Sequence, residues 1–142
     1  MISETSGKTQ KYTALFNRTF LLEKQPANTI ITMKPFEKSV ELKVIVLERM
    51  GGGVQTKARN RITRFLVADQ TASIYMNIFD ELGDILQVGD ILYINGAYTS
   101  VFQDQLLLYE GKTGKIHKIG EFFFLFNDKP NMSDKEWPKE NP

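Results

Sequence analysis

The chain repeats one pattern: short runs that alternate apolar and polar residues, each stopped by glycine or a polar turn. "VELKVIVLE" places Val40, Leu42, Val44 and Val46 on one face, while Ile45 and Leu47 make its second half apolar on both sides. "SIYMNIF" turns Ile74, Met76 and Ile78 one way and Ser73, Tyr75, Asn77 and Phe79 the other. A period of two is the signature of a half-buried strand and is incompatible with one helix face. "RITRFLVAD" supplies a strand between these two, closed by an Asp69-Gln70-Thr71 turn. "DELGDIL" is short and interrupted by glycine, so it predicts a single helical turn.

"GAYTSVFQDQLLLYEG", Gly96 to Gly111, reads as a hairpin with Gln103-Asp104 as its turn. That register sets Phe102 opposite Gln105, Val101 opposite Leu106 and Tyr98 opposite Tyr109. Directly paired residues share a face. One face then holds Thr99, Val101, Leu106 and Leu108, a core set; the other holds Tyr98, Phe102 and Tyr109. Gly96, inside the strand pattern, marks a bulge or bend. Five short strands with one helical segment between the third and fourth predict an all-β, five-stranded OB-fold barrel, an architecture that binds oligonucleotides on one face. Residues 35–126 form this domain. Residues 1–34 are expected to be a partly disordered N-terminal arm, and the proline-bearing residues 127–142 a polar tail. "GKTGKIHKIG" reads as a loop, and "EFFFLF" as a final buried strand or a docking segment.

Composition removes several chemistries. The 142 residues include no cysteine and one histidine, His117. Disulfides, thiolate metal sites, histidine clusters and cysteine nucleophiles are thereby excluded. Asp80, Glu81 and Asp84 lie together in sequence but read as a solvated turn, and "MGGGVQTKAR" lacks phosphate-loop spacing. No catalytic residue, metal ligand or cofactor is expected, and no enzyme activity. No apolar run approaches the roughly 20 residues of a membrane span.

Net charge is only +1, so an anionic partner has to be held locally. Between Arg49 and Leu66 the chain carries Arg49, Lys57, Arg59, Arg61 and Arg64 and no acid. Such a ribbon suits a nucleic-acid backbone; it equally suits a hairpin edge kept charged against aggregation. The aromatics favour the first reading. Phe79 ends its strand on the polar face, and with Tyr98, Phe102 and Tyr109 it makes four outward rings on consecutive strands. An aromatic platform stacks bases at about 1–3 kcal/mol each with little sequence preference. Lys57, Arg59, Arg61 and Arg64 would then hold the backbone of a single strand. Stacking does not read the sugar, which leaves DNA and RNA both open.

"VADQTASIYMNIFDELGDILQVGDILYINGAYTSVF", followed by "LLLYEG" and "KIGEF", resembles the SOSS-B family, the eukaryotic single-stranded DNA-binding proteins of the SOSS complex, which have one OB-fold. The resemblance runs from about Thr29 to Ser133. It implies a nuclear role in sensing single-stranded DNA at breaks, with stacking by Phe79, Tyr98, Phe102 and Tyr109 and a loop lysine at Lys57. It also implies that Glu121 and Phe122 dock on the Integrator-associated scaffold protein of that complex. Four departures weaken phosphate attraction or stacking. Phe79 stands where tryptophan is usual, Leu66 stands where lysine is usual, and Gly96-Ala97 and Gln103-Asp104 each replace a Lys-Gly pair. The rival expectation is a diverged OB-fold adaptor that docks proteins through "KIGEFFFLF" and binds nucleic acid weakly or not at all.

Overall fold

The computed structural model describes residues 18–55 and 61–137. Along the chain run α1 (Arg18–Glu23), β1 (Val40–Gln55), β2 (Arg61–Ala68), β3 (Ser73–Phe79), α2 (Asp80–Ile85), β4 (Asp90–Phe102), β5 (Gln105–Tyr109) and β6 (Lys115–Glu121). Single 3-10 turns lie at Ile30–Thr32 and Met132–Asp134. The strands pair in the order β1-β2-β3-β5-β4-β6, and a further β1–β4 pairing closes the first five into a ring. All pairings are antiparallel except β3–β5. This is the expected all-β OB-fold barrel, with α2 between β3 and β4.

The alternation decides what fills the barrel. Val40, Leu42, Val44 and Val46 of β1 are buried, and with Ile74, Met76 and Ile78 of β3 they form the central core. Apolar residues on the other face of β1 have a separate explanation. Ile45 packs outside the ring with Ile91, Tyr93 and Ile119, and Leu21 of α1 and Phe124 lie against this second cluster. Burying each such side chain contributes about 1.5–3 kcal/mol.

Two sequence expectations change here. "KIHKIGE", read as part of a loop, is the sixth strand: it pairs along β4 from Asp90↔Glu121 to Asn95↔Lys115. "EFFFLF" is not a buried strand. Beyond Glu121 it carries no strand pairing, and Phe122, Phe123, Leu125 and Phe126 are exposed while Phe124 alone turns inward. The position β6 needs on β4 is taken by "KIHKIGE", so the phenylalanines emerge past the end of the sheet.

Residues before and after the expected domain also pack on it. Ile30 and Met33 belong to the core, and Asp69 Oδ2 accepts the Ile30 amide at 2.9 Å. At the other end, Met132 and Ser133 are buried. Ser133 Oγ accepts the Tyr75 amide at 2.9 Å and donates to the Leu106 carbonyl. It thus bridges β3 and β5 just where their ladder, Tyr75↔Leu107 to Asn77↔Tyr109, runs out.

Glu41 ties the N-terminal segment to the barrel. Its carboxylate accepts from the Lys24 ammonium at 2.9 Å, the Ala27 amide at 2.9 Å and the Tyr93 hydroxyl. Burial alone would raise the Glu41 pKa, but the donors of Tyr93, Lys24 and Ala27 together hold it below the ordinary value. A lowered folded-state pKa contributes stability that is complete above the unfolded value and is lost as pH falls through the folded one. Stability should therefore decline across the acidic range, as pH falls below the ordinary glutamate value of about 4.5. Glu41→Gln should flatten that decline, read from urea midpoints across the range; an unchanged slope would show that Glu41 carries none of it.

Candidate nucleic-acid interface

The outward face of the hairpin depends on one extra residue. β4 opposes β1 as Ile94↔Leu42 and then Ala97↔Val40, so three steps on β4 match two on β1. The inward sequence Leu92, Ile94 thereby continues as Ala97, Thr99, all buried, instead of Gly96, Tyr98. Gly96 absorbs the bulge with φ 78°, in the left-handed region that side chains disfavour. A Cβ there would meet Gly114 Cα at 2.8 Å. Tyr98, Ser100 and Phe102 are turned outward as a result.

Pairing then aligns residues from four strands in one row. Tyr98 opposes Tyr109, Tyr109 opposes Asn77, and Asn77 opposes Arg64. The Tyr98 and Tyr109 rings stack, with centroids 5.1 Å apart and planes 7° from parallel. Arg64 Nε donates to Asn77 Oδ1 at 3.1 Å, and the Asn77 side chain also hydrogen-bonds Tyr109. The Arg64 guanidinium lies 5.7 Å from the Tyr75 ring centroid, one row along. Burial pushes the phenol of Tyr98 upward. It does the same for Tyr109, assisted by Tyr98 and opposed by Arg64 and Asn77. Both rings therefore stay neutral near pH 7 and present no charge to an anionic strand.

Phe79 and Phe102 stand at opposite ends of this face. Phe79 follows Tyr75 and Asn77 on the outward side of β3, is half-buried and pairs with Ile62. Its amide donates to Glu110 Oε1 at 2.9 Å, which fixes the turn into α2. Phe102 is 56% exposed at the hairpin tip. The tip is the expected two-residue turn, with Gln103 and Asp104 at φ 52° and 66°, the geometry of the tight turns that suit strand twist. Leu107 shares the face by parity but is wholly buried.

The basic ribbon does not arrive intact. Arg61 forks onto Asp84, Nη1 to Oδ1 at 3.0 Å and Nη2 to Oδ2 at 2.7 Å. α2 follows β3 directly and sets Asp84 beside the start of β2, so Arg61, expected to hold a nucleic-acid backbone, has a carboxylate partner in an exposed ion pair. Arg49 caps the Gly83 carbonyl at 2.8 Å. Lys57 and Arg59 lie outside the described residues. Arg64 alone of the four named cations, among the described residues, joins the aromatic row. Glu121 pairs with Lys118 at the end of β6, and Phe122, 67% exposed, lays its ring over Gly89. This pair is remote in sequence pairing from Tyr98 and Tyr109, on the β6 side of β4. Asn77 and Tyr75 were missing from the expected site; their outward parity in "SIYMNIF" was the signal available.

Residues 27–118 match the model of a family described as single-stranded DNA binding protein Ssb-like, OB fold. The chain belongs to this Ssb-like family. Solved structures agree on the fold. A hypothetical protein of Arabidopsis thaliana superposes with a TM-score of 0.66 at 19% identity, over 84% of this chain and 92% of that one. The OB domain of a Thermoplasma acidophilum protein gives 0.50 at 19% identity, over 66% and 82%. The row on β2, β3, β5 and β4 thus joins one cation to two stacked rings, of which Tyr98 is exposed.

Because the bulge turns Tyr98 outward, Gly96→Ala should disturb both stability and the stacked pair. Left-handed strain and the contact with Gly114 should cost about 1–3 kcal/mol. Near-ultraviolet circular dichroism should report an altered Tyr98–Tyr109 environment alongside the lower melting temperature. A variant as stable as the parent with the same spectrum would show that the bulge tolerates a side chain.

Proposed function

We propose that this chain binds single-stranded DNA without catalysis, stacking bases on Phe79, Tyr98, Phe102 and Tyr109. The observation that carries the reading is the row Arg64–Asn77–Tyr109–Tyr98, in which hydrogen bonds through Asn77 link the Arg64 guanidinium to Tyr109 and the Tyr109 ring stacks on Tyr98. Membership of the Ssb-like family supports it. Arg64 provides the local positive charge beside the rings; Lys57 and Arg59, in the β1–β2 connection, are proposed to add to it. Arg61 is proposed to contribute less, because it shares its charge with Asp84 in an exposed ion pair. With few cations in play, affinity should be moderate and only weakly dependent on salt, since each phosphate neutralised on a single strand contributes about 0.7 to the log–log slope.

The finer reading rests on the sequence resemblance: a nuclear member of a SOSS-like complex in the response to DNA breaks. In that reading Glu121 and Phe122 dock on the Integrator-associated scaffold. The exposure of Phe122, Phe123 and Leu125, at 67%, 94% and 83%, supports a docking role for the segment. The same exposure favours the second reading, a protein–protein adaptor with little nucleic-acid binding.

Replacing Phe79, Tyr98 and Phe102 together with alanine separates the two readings. At about 1–3 kcal/mol per stacked base, the triple variant should bind fluorescent oligo-dT on the order of a hundredfold more weakly or worse. Parallel titrations with single-stranded RNA and duplex DNA rank the substrates. If the variant stays folded and binds like the parent, the stacking platform is wrong.

A further inference from the structure

We infer that the row of aromatics ends in a built nucleotide subsite, in the cleft between residues 36–39 and 111–113, where a base stacks beside Tyr98 and Lys38 and Lys112 take phosphate. The inference deepens the single-strand-binding reading and rests on it. On the β5 side, Tyr98 is already covered by Tyr109. The cleft lies on the opposite side, because residues 36–39 lead into Val40, which pairs with Ala97 on the other edge of β4. Its volume of ≈ 460 Å³ falls within the range of about 300–1,000 Å³ that small-molecule sites occupy.

Both walls are fixed in place. Buried Thr99 holds the first: its Oγ1 donates to the Lys34 carbonyl at 2.6 Å and accepts the Glu37 amide at 2.8 Å. Its own amide donates to the Glu37 carbonyl at 3.0 Å. Phe36 and Ser39 bracket this wall with φ 65° and 55°. Non-glycine residues adopt that conformation only when their surroundings impose it, and such positions cluster at ligand clamps. Phe36 is nonetheless 37% exposed, its ring lining the cleft with Tyr98. The second wall sits directly on the bulge. A Cβ on Gly111 would lie 2.0 Å from the Gly96 carbonyl oxygen, and one on Gly114 would lie 2.9 Å from it. This close backbone approach sets Lys112 at the rim.

The chemistry is that of one nucleotide. Two rings offer apolar faces. Lys38 and Lys112 are exposed, form no ion pair with any described residue, and outnumber the one carboxylate of the cleft, Glu37. A strand crossing from Arg64 over Tyr109 and Tyr98 would enter this cleft next, so the subsite extends the platform rather than competing with it.

The double variant Lys38→Ala/Lys112→Ala, made in the full chain, tests this with fluorescein-labelled oligo-dT of about 12 nucleotides, within the usual range for one OB-fold. It should bind about tenfold more weakly at low salt, and the log–log salt slope should fall by about 1.4, the value for two phosphates on a single strand. Phe36→Ala should weaken binding with the slope unchanged. Unaltered melting temperatures show that the variants are folded. If the parent binds and the Phe79/Tyr98/Phe102 triple variant does not, while the lysine variant keeps the parent's affinity and slope, the subsite is wrong and the platform stands. Weaker binding by the lysine variant with an unchanged slope also overturns the phosphate assignment. Failure of the parent to bind any oligonucleotide overturns both readings.

Discussion

The single extra residue at Gly96 organises the ring-bearing side of this barrel. Before it, β4 buries Leu92 and Ile94; after it, β4 buries Ala97 and Thr99. Without the bulge, strict alternation would send Tyr98 and Phe102 into the core and Thr99 and Val101 outward. Only glycine takes the required φ of 78° without strain, and only glycines at 111 and 114 let the next turn rest on the Gly96 backbone. One backbone feature thus decides that the rings face out, that Tyr98 meets Tyr109, and that a cleft opens beside them.

The opposite side of the barrel does structural work. Outside the ring, Ile45, Ile91, Tyr93 and Ile119 form an apolar cluster covered by Leu21 and Phe124, with Glu41 fastening the incoming segment through Lys24, Ala27 and Tyr93. Ser133 completes the weak parallel junction of β3 and β5. Segments outside the alternating region therefore close and cap the ring, leaving the β2–β3–β5–β4 surface as the open face. A rigid frame behind that face matters, since stacking affinity is lost if rings must be ordered on binding.

Charge is redistributed by folding. In sequence the cations from Arg49 to Arg64 form one ribbon, but α2 intercepts two of them: Gly83 takes Arg49 and Asp84 takes Arg61. Arg64 survives on the face because its neighbour across the ladder is Asn77, a neutral acceptor. Lys38 and Lys112, separated by more than seventy positions in sequence, meet across one cleft. Positive charge near the rings thus comes from Arg64 of the local run and from Lys38 and Lys112, which no local run would nominate.

The alternation and the turn residues determined by themselves the strands, the short helix between β3 and β4, the hairpin register and the four outward rings, because each depends on neighbours two residues apart or directly across a two-residue turn. Gly96 announced its bulge for the same local reason. Strand β6 was not legible, since "KIHKIGE" lacks a strong alternating run and pairs only because β4 offers a free edge. Nor were the exposure of Phe122, Phe123, Leu125 and Phe126, the burial of Met132 and Ser133, the pairing of Arg61 with Asp84 or the cleft beside Tyr98. Those follow from which segments meet in space, and long-range pairing leaves no periodic trace along the chain.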